Sequence, residues 1–291
     1  MKLNPHISLT LFEPGVPETS IAQYQPPYSV AMHLLEQSEE DPRYPEDEIP
    51  IFASILEHEV ALYERRGYIA GPLAVQMGET APLDLASQDS PFLLPSWVED
   101  DGLQLISCEA KGILLIETDY VFEALFALKS WQSTGLVLAT GSGMPRAAMR
   151  RFLHRIQHHF ELPIYVLSDN DTWGYFLYSM LHRGALAPHA QSPYLAIRDL
   201  RYLGLQAQRI DPPMENKSLE RPWKEHWKLR LECMRQYDCF RTDAWQAELN
   251  AFEERKCARN LNAVLEQLGP EYILEIVNST ISNRKWIGAV V

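Results

Sequence analysis

Cysteine is scarce in this sequence, long apolar runs are missing, and the first third has almost no basic residues. Four cysteines stand among 291 residues, at Cys108, Cys233, Cys239 and Cys257, with no CxxC pair. Such spacing excludes the disulfide framework of a small secreted domain and predicts reduced thiols. No apolar run approaches the roughly 18 residues that a membrane-spanning helix needs, and the start MKLNPHISLT lacks the basic and apolar regions of a signal peptide. A cytoplasmic protein with no membrane partner is the expectation. Residues 1–110 hold 19 acids against 4 Lys and Arg, whereas residues 111–291 hold 20 against 22. The formal net charge of −13 therefore sits in the first third. That third alone would repel a polyanion, because neutralisation of phosphate needs Lys and Arg.

What is present is the composition of a folded globular chain, 46% hydrophobic and 22% charged, long enough for one large or two ordinary domains. Pro5, Pro14, Pro17, Pro26 and Pro27 crowd the opening 30 residues, a density that predicts an extended arm. EQSEEDPRYPEDE (36–48) is a solvated acidic stretch, and IFASILEHEVALYE (51–64) has helical apolar spacing. GYIAGPLAV predicts a short strand or hairpin, and the Ser/Pro/Asp-rich run from Ala81 to Pro95 a loop. A boundary near residue 100 follows: an N-terminal arm and region over 1–100, then an α/β domain with a helical C-terminal extension over 101–291.

From residue 112 short apolar runs alternate with helical segments. ILLI (113–116), LVLA (136–139), IYVL (164–167) and YLAI (194–197) are expected as buried parallel strands, with helices near 119–131, 145–160 and 174–182. In the middle helix Met149, Phe152, Leu153, Ile156 and Phe160 fall on one face, and Pro145 announces its start. Beyond Arg221 the chain is helical by composition. Trp223, Trp227 and Trp245 read as packing residues there, and His154 and His158, lacking an intervening Glu and a third ligand, as packing or solvated histidines.

Three polar features follow the carboxyl ends of the predicted strands, the edge where open α/β sheets build their sites. Glu117 closes ILLI, TGSGMP (140–145) follows LVLA, and SDNDTWG (168–174) follows IYVL. Backbone N–H groups around Gly141 and Gly143 could line an anion-binding concavity. Asp169 and Asp171, two residues apart, can share one hard cation, and Glu117 adds a third carboxylate. Mg²⁺ favours such an oxygen shell and keeps waters that phosphate oxygens can replace. Arg146, Arg150, Arg151 and Arg155 on the next helix could supply positive charge to phosphates, or form a solvated helix face.

The ordered run GILLIETDYVFEALF, LVLATGSGMPRAAMRRFLHRI, LPIYVLSDNDTWGYFLY and IRDLRYLGL resembles the TOPRIM domain that the topoisomerase VI A subunit shares with its relatives that make meiotic double-strand breaks. Ser142 and Thr172 stand where that family commonly has Lys and Pro. The resemblance implies a TOPRIM-type parallel sheet flanked by helices, preceded by a reduced or divergent winged-helix-like region, with Glu117, Asp169 and Asp171 as Mg²⁺ ligands. YSVAMHLLEQSEED also resembles the family's segment around its nucleophile, which implies Tyr28, with Tyr24 second, as the tyrosine that attacks a phosphodiester. Double-stranded DNA as substrate, a homodimer, association with a nucleoid and, as partner, a GHKL-type ATPase B subunit follow by the same resemblance. Two alternatives stay open: a TOPRIM nuclease in which water attacks, and a degenerate A-like subunit whose acidic front binds a partner.

Overall fold

The computed structural model describes residues 67–95, 98–100, 102–184 and 192–288. The expected arm, the part of the winged-helix-like region before residue 67, the helix over 51–64, Tyr24 and Tyr28 lie outside the described residues. In chain order the described part forms β1 (Tyr68–Ala70), β2 (Leu73–Met77), β3 (Leu83–Asp84), β4 (Phe92–Leu93), β5 (Leu103–Cys108) and β6 (Gly112–Ile116). Then come α1 (Asp119–Leu128), β7 (Leu136–Thr140), α2 (Ala147–Phe160), β8 (Ile164–Leu167), α3 (Thr172–Arg183), α4 (Ser192–Leu195) and β9 (Leu200–Tyr202). The last third adds β10 (Glu220–Pro222), α5 (His226–Met234), α6 (Asp243–Arg255), β11 (Cys257–Arg259), α7 (Leu261–Leu268) and α8 (Pro270–Ser282).

The main sheet runs β4-β1-β7-β6-β8-β9. β7, β6, β8 and β9 are parallel, whereas β1 and β4 join antiparallel. A parallel sheet must be covered on both faces, which is why its strands are unbroken apolar runs. Ile113, Leu115, Val137, Ala139, Ile164 and Val166 pack toward α2 and α3. The alternate residues Leu114, Ile116, Leu138 and Leu167 pack toward α1, α7 and α8. In register, Ile116 pairs with Thr140 on one side and with Leu167 on the other. The residues that follow, Glu117, Gly141 and Ser168, therefore emerge together at one edge.

Two expectations change. YLAI (194–197) is not a strand: Ser192–Leu195 is a short helix, and the fourth parallel strand is Leu200–Tyr202. Pro193 has no N–H to give a ladder and favours a helix start, so the apolar run misleads and the next segment, LRY (200–202), carries the strand. The structure also continues across the boundary expected near residue 100, since β1 and β4 belong to the main sheet. β2, β3 and β5 form a separate antiparallel sheet whose Leu73, Val75 and Leu103 enter the same core.

The tryptophans pack as expected. Trp245 is fully buried against Tyr178, Tyr202 and Phe240, and Trp227 lies against Trp223 and Phe252. Among the described residues no helix is long and apolar enough to cross a membrane.

Candidate metal centre

Glu117, Asp169 and Asp171 are all buried at the carboxyl edge of β6 and β8. The Asp169 backbone N–H donates to Glu117 Oε2 at 2.8 Å, which joins the two strand ends directly. Asp171 is the N-cap of α3: its Oδ1 accepts from the N–H groups of Trp173 and Gly174 at 2.8 and 3.0 Å. A short acid at this position satisfies orphan helix donors and sits well against the positive end of the helix dipole. Gly174 is required for the fit. A Cβ there would lie 2.3 Å from the Asp169 carbonyl oxygen and 2.7 Å from Ser168 Oγ. Gly174→Ala is expected to cost about 1–3 kcal/mol, the usual range for overpacking, and to displace the Asp169 loop. Chemical denaturation checks it, and an unchanged midpoint would show that the loop yields freely.

The C-terminal extension completes the site. Asp169 Oδ1 accepts from Leu261 N at 2.8 Å, and Oδ2 from Asn260 Nδ2 at 2.7 Å. Asn260 at the same time caps α7 through its Oδ1. Between the loop carboxylates stands Arg221 of β10, whose Nη2 reaches Asp169 Oδ2 at 3.2 Å and Asp171 Oδ2 at 2.8 Å. The antiparallel β10–β11 strand pair is pinned to the acidic loop by two backbone hydrogen bonds between Asn170 and Arg259, at 2.9 and 3.2 Å. Behind it, Asn170 Nδ2 donates to Tyr175 Oη, which donates to the fully buried Glu248. Glu248 also accepts from the N–H groups of Ala207 and Gln208.

Arg221, Asn260, Leu261 and Glu248 were not among the residues singled out from sequence. For Glu248 a signal exists: Trp245, Glu248, Leu249 and Phe252 share one buried face of α6, so an acid stands on an apolar stripe. Asn260 before an apolar periodic run is an N-cap signature. Nothing local marks Arg221.

Burial pushes the Glu117 carboxyl up from its ordinary 4.5 to about 8, and the negative charge of Asp169 adds to it. Burial likewise raises Asp169 from 3.8 to about 6, against the pull of the Leu261 N–H. A carboxyl with a raised value binds its proton more tightly in the fold than in the unfolded chain. Its contribution to stability is complete below the unfolded value and is lost as the pH rises through the folded one. In metal-free buffer the melting temperature of the wild type should therefore fall relative to Glu117→Gln between pH 4.5 and about 8. Parallel melting profiles for the two proteins across that window would contradict the assignment.

The other expected residues are placed as follows. Gly143 donates its N–H to the Glu117 carbonyl at 2.8 Å, and Ser142 its N–H to Thr140 Oγ1 at 3.2 Å. The Gly143 turn has a φ of +97°, which suits glycine. Gly141 sits against Pro145. The loop around Gly141 and Gly143 thus tethers the strand end that bears Glu117. Arg146 and Arg150 are buried, and Arg150 donates to the Gly184 carbonyl at 2.9 Å. Arg151 forms a two-pronged pair with Glu99 at 2.5 and 2.8 Å, and Arg155 pairs with Asp100 and donates to the Leu103 carbonyl. Arg150, Arg151 and Arg155 hold α2 to its neighbours. His154 Nδ1 lies 2.8 Å from the Ala196 carbonyl oxygen and its ring stacks on His158.

Among the described residues no group of three acidic, histidine or cysteine side chains is drawn together as a finished metal cage. The donor set still suits a hard cation. Mg²⁺ is commonly bound through one or two carboxylates plus water, and here a cationic guanidinium already bridges two carboxylate oxygens. An α/β sheet of this order, with acids following the carboxyl ends of adjacent parallel strands, defines a Toprim-type fold.

The sequence profile of the Toprim domain of the topoisomerase 6 A-subunit/Spo11 family matches residues 112–276, and the chain belongs to that family. It is similar to the A subunit of type 2 DNA topoisomerase 6 from Saccharolobus shibatae, 27% identical over 251 residues, 82% of this chain and 64% of the relative. The corresponding protein of Hyperthermus butylicus is 26% identical over 80% of this chain and 63% of its own length. Meiotic recombination protein W68 of Drosophila melanogaster is 23% identical over 74% of this chain and 64% of its own. The chain thus spans less than two thirds of the length of these relatives.

Proposed function

We propose that this chain is a DNA-cleaving subunit of the topoisomerase VI A type, which breaks duplex DNA with Mg²⁺ held by Glu117, Asp169 and Asp171 and with Tyr28 as nucleophile. The observation that carries the reading is the buried acidic triad at the ends of β6 and β8, with a cation already bridging two of its members. Bound there, Mg²⁺ would polarise a phosphodiester oxygen and offset its developing charge. Asp171 Oδ1 stays with the α3 N–H groups while Oδ2 faces the cation. Asp169 is oriented by Asn260 and Leu261, and Glu117 by the Asp169 N–H.

Tyr28 Oη forms a new bond to phosphorus and gives up its proton, while the bond from phosphorus to the neighbouring deoxyribose oxygen breaks and that oxygen takes up a proton. One phosphodiester is exchanged for another, so the linkage can be resealed. One tyrosine makes one break, and a double-strand break requires a homodimer. Resealing coupled to strand passage calls for a GHKL-type ATPase partner. Of the arginines on α2, half-buried Arg151 is the proposed DNA contact, reached by giving up Glu99, while Arg150 holds the helix to the Gly184 carbonyl.

Supercoiled plasmid and Mg²⁺, with detergent and protease used to trap breaks, test the covalent step. Tyr28→Phe should abolish the protein-linked ends that the wild type leaves. Free ends, undiminished by Tyr28→Phe, would instead make water the nucleophile.

A further inference from the structure

Arg221 has no role in the scheme above, yet it occupies the place where charge matters most. Its guanidinium reaches both loop carboxylates through a single nitrogen, Nη2, and not through the two-pronged fork that makes arginine–carboxylate pairs strong. Its Nε is buried with no hydrogen-bond partner among the described residues. The side chain is 42% exposed, whereas the carboxylates of Asp169 and Asp171 are 9% and 11% exposed. The arginine therefore has an open way out and the acids do not.

The acids keep their orientation without it. Asp169 retains Leu261 and Asn260, and Asp171 retains the two N–H groups of α3. The departure of Arg221 would free Asp171 Oδ2 and would open one acceptor direction on Asp169 Oδ2, which keeps its hydrogen bond from Asn260; the two oxygens already face a common point. A divalent ion entering while the guanidinium stays would place two cations against the same two oxygens, and their repulsion grows as the surroundings become less polar.

Resting on the metal-site reading above, we propose that Arg221 is a built-in counter-cation that holds the Asp169–Asp171 pair in the metal-free protein and must leave before a divalent ion binds. Arg221 thereby weakens the intrinsic affinity of the site for Mg²⁺ and Mn²⁺ while preventing mutual repulsion of two buried acids in their absence. Metal entry is an exchange of one cation for another, and no large rearrangement of the sheet edge is needed.

The test is Mn²⁺ binding to the full chain, read from the paramagnetic resonance signal of free Mn²⁺, with no DNA present. Arg221→Gln and Arg221→Met remove the charge and should bind Mn²⁺ at least tenfold more tightly than the wild type. Arg221→Lys keeps a cation there and should stay within a fewfold of the wild type. The neutral variants should also melt lower than the wild type without metal and gain more from added Mn²⁺, since a ligand stabilises in proportion to its binding. Equal or weaker Mn²⁺ binding by both neutral variants would overturn the proposal. It would leave the metal site intact if Asp171→Asn still lowers binding in the wild-type background. Failure of the wild type and of every Arg221 variant to bind Mn²⁺ would overturn the metal-site reading together with this one.

Discussion

Asp171→Asn should leave the fold intact and reduce Mg²⁺-dependent DNA cleavage by at least about a hundredfold, since loss even of a group that only orients a metal ligand commonly costs 10–100-fold. The two oxygens of Asp171 have separate duties. Oδ1 caps α3, and an asparagine carbonyl can do that nearly as well, because Asn and Asp rank together as N-caps. Oδ2 faces Arg221, and there the substitution replaces an anionic acceptor by an N–H₂ donor. The proposed metal-facing duty would be lost while the capping duty is kept. Asp171→Ala removes both and should add a stability loss of about 1 kcal/mol. Trapped cleavage and thermal melting on the same preparations separate the two effects. Cleavage undiminished in Asp171→Asn would remove Asp171 from the centre, and a collapse of stability in that variant would show that its role is structural.

Glu248→Ala is the substitution expected to cost most in stability. Glu248 lies fully buried on α6 and accepts from Tyr175 Oη at 2.9 Å, Ala207 N at 2.6 Å and Gln208 N at 3.2 Å. Truncation strands these donors, and each buried polar group left unsatisfied costs about 1–3 kcal/mol. Gln208 is exposed, so the two buried donors, Tyr175 Oη and the Ala207 N–H, set a total of about 2–6 kcal/mol. For a domain of this size it corresponds to a fall in melting temperature on the order of 10 °C. Glu248→Gln retains an acceptor oxygen and should lose far less. Because Tyr175 Oη also accepts from Asn170, which lies between the two site aspartates, Glu248→Ala should weaken metal binding as well. A melting temperature within 2–3 °C of the wild type, about the effect of 1 kcal/mol, would contradict the view that this network clamps the acidic loop.

The part of the site that sequence makes legible is the part built locally. ILLI, LVLA and IYVL are short, fully apolar and bounded by polar residues, as strands covered on both faces must be. The acids that follow them have no room in the core and fall at the sheet edge. The fold class follows from the same alternation, and the match of residues 112–276 to the Toprim family agrees with it. YLAI failed because an apolar run of four does not by itself separate a strand from a helical turn, and Pro193 decides in favour of the turn.

The rest of the site is assembled from far along the chain. Asp169 is reached by Arg221, Asn260 and Leu261, 52, 91 and 92 residues away, and no spacing rule links such distant positions. Sequence texture marked the C-terminal segment as helical. It did not show that a three-residue strand pair, β10 and β11, inserted among those helices delivers the groups that orient Asp169. The arginines of α2 are a second instance. Their spacing allows a basic surface, but burial and the nearby acids Glu99 and Asp100 turn their guanidinium groups toward protein partners.

Calorimetric titration of Mg²⁺ into the full chain, without DNA, tests the metal centre most directly. One ion should bind per chain, and Glu117→Gln, Asp169→Asn and Asp171→Asn should each weaken that binding severely while the protein remains folded by circular dichroism. Binding that is undiminished in all three variants, or no binding by the wild type, would contradict the account.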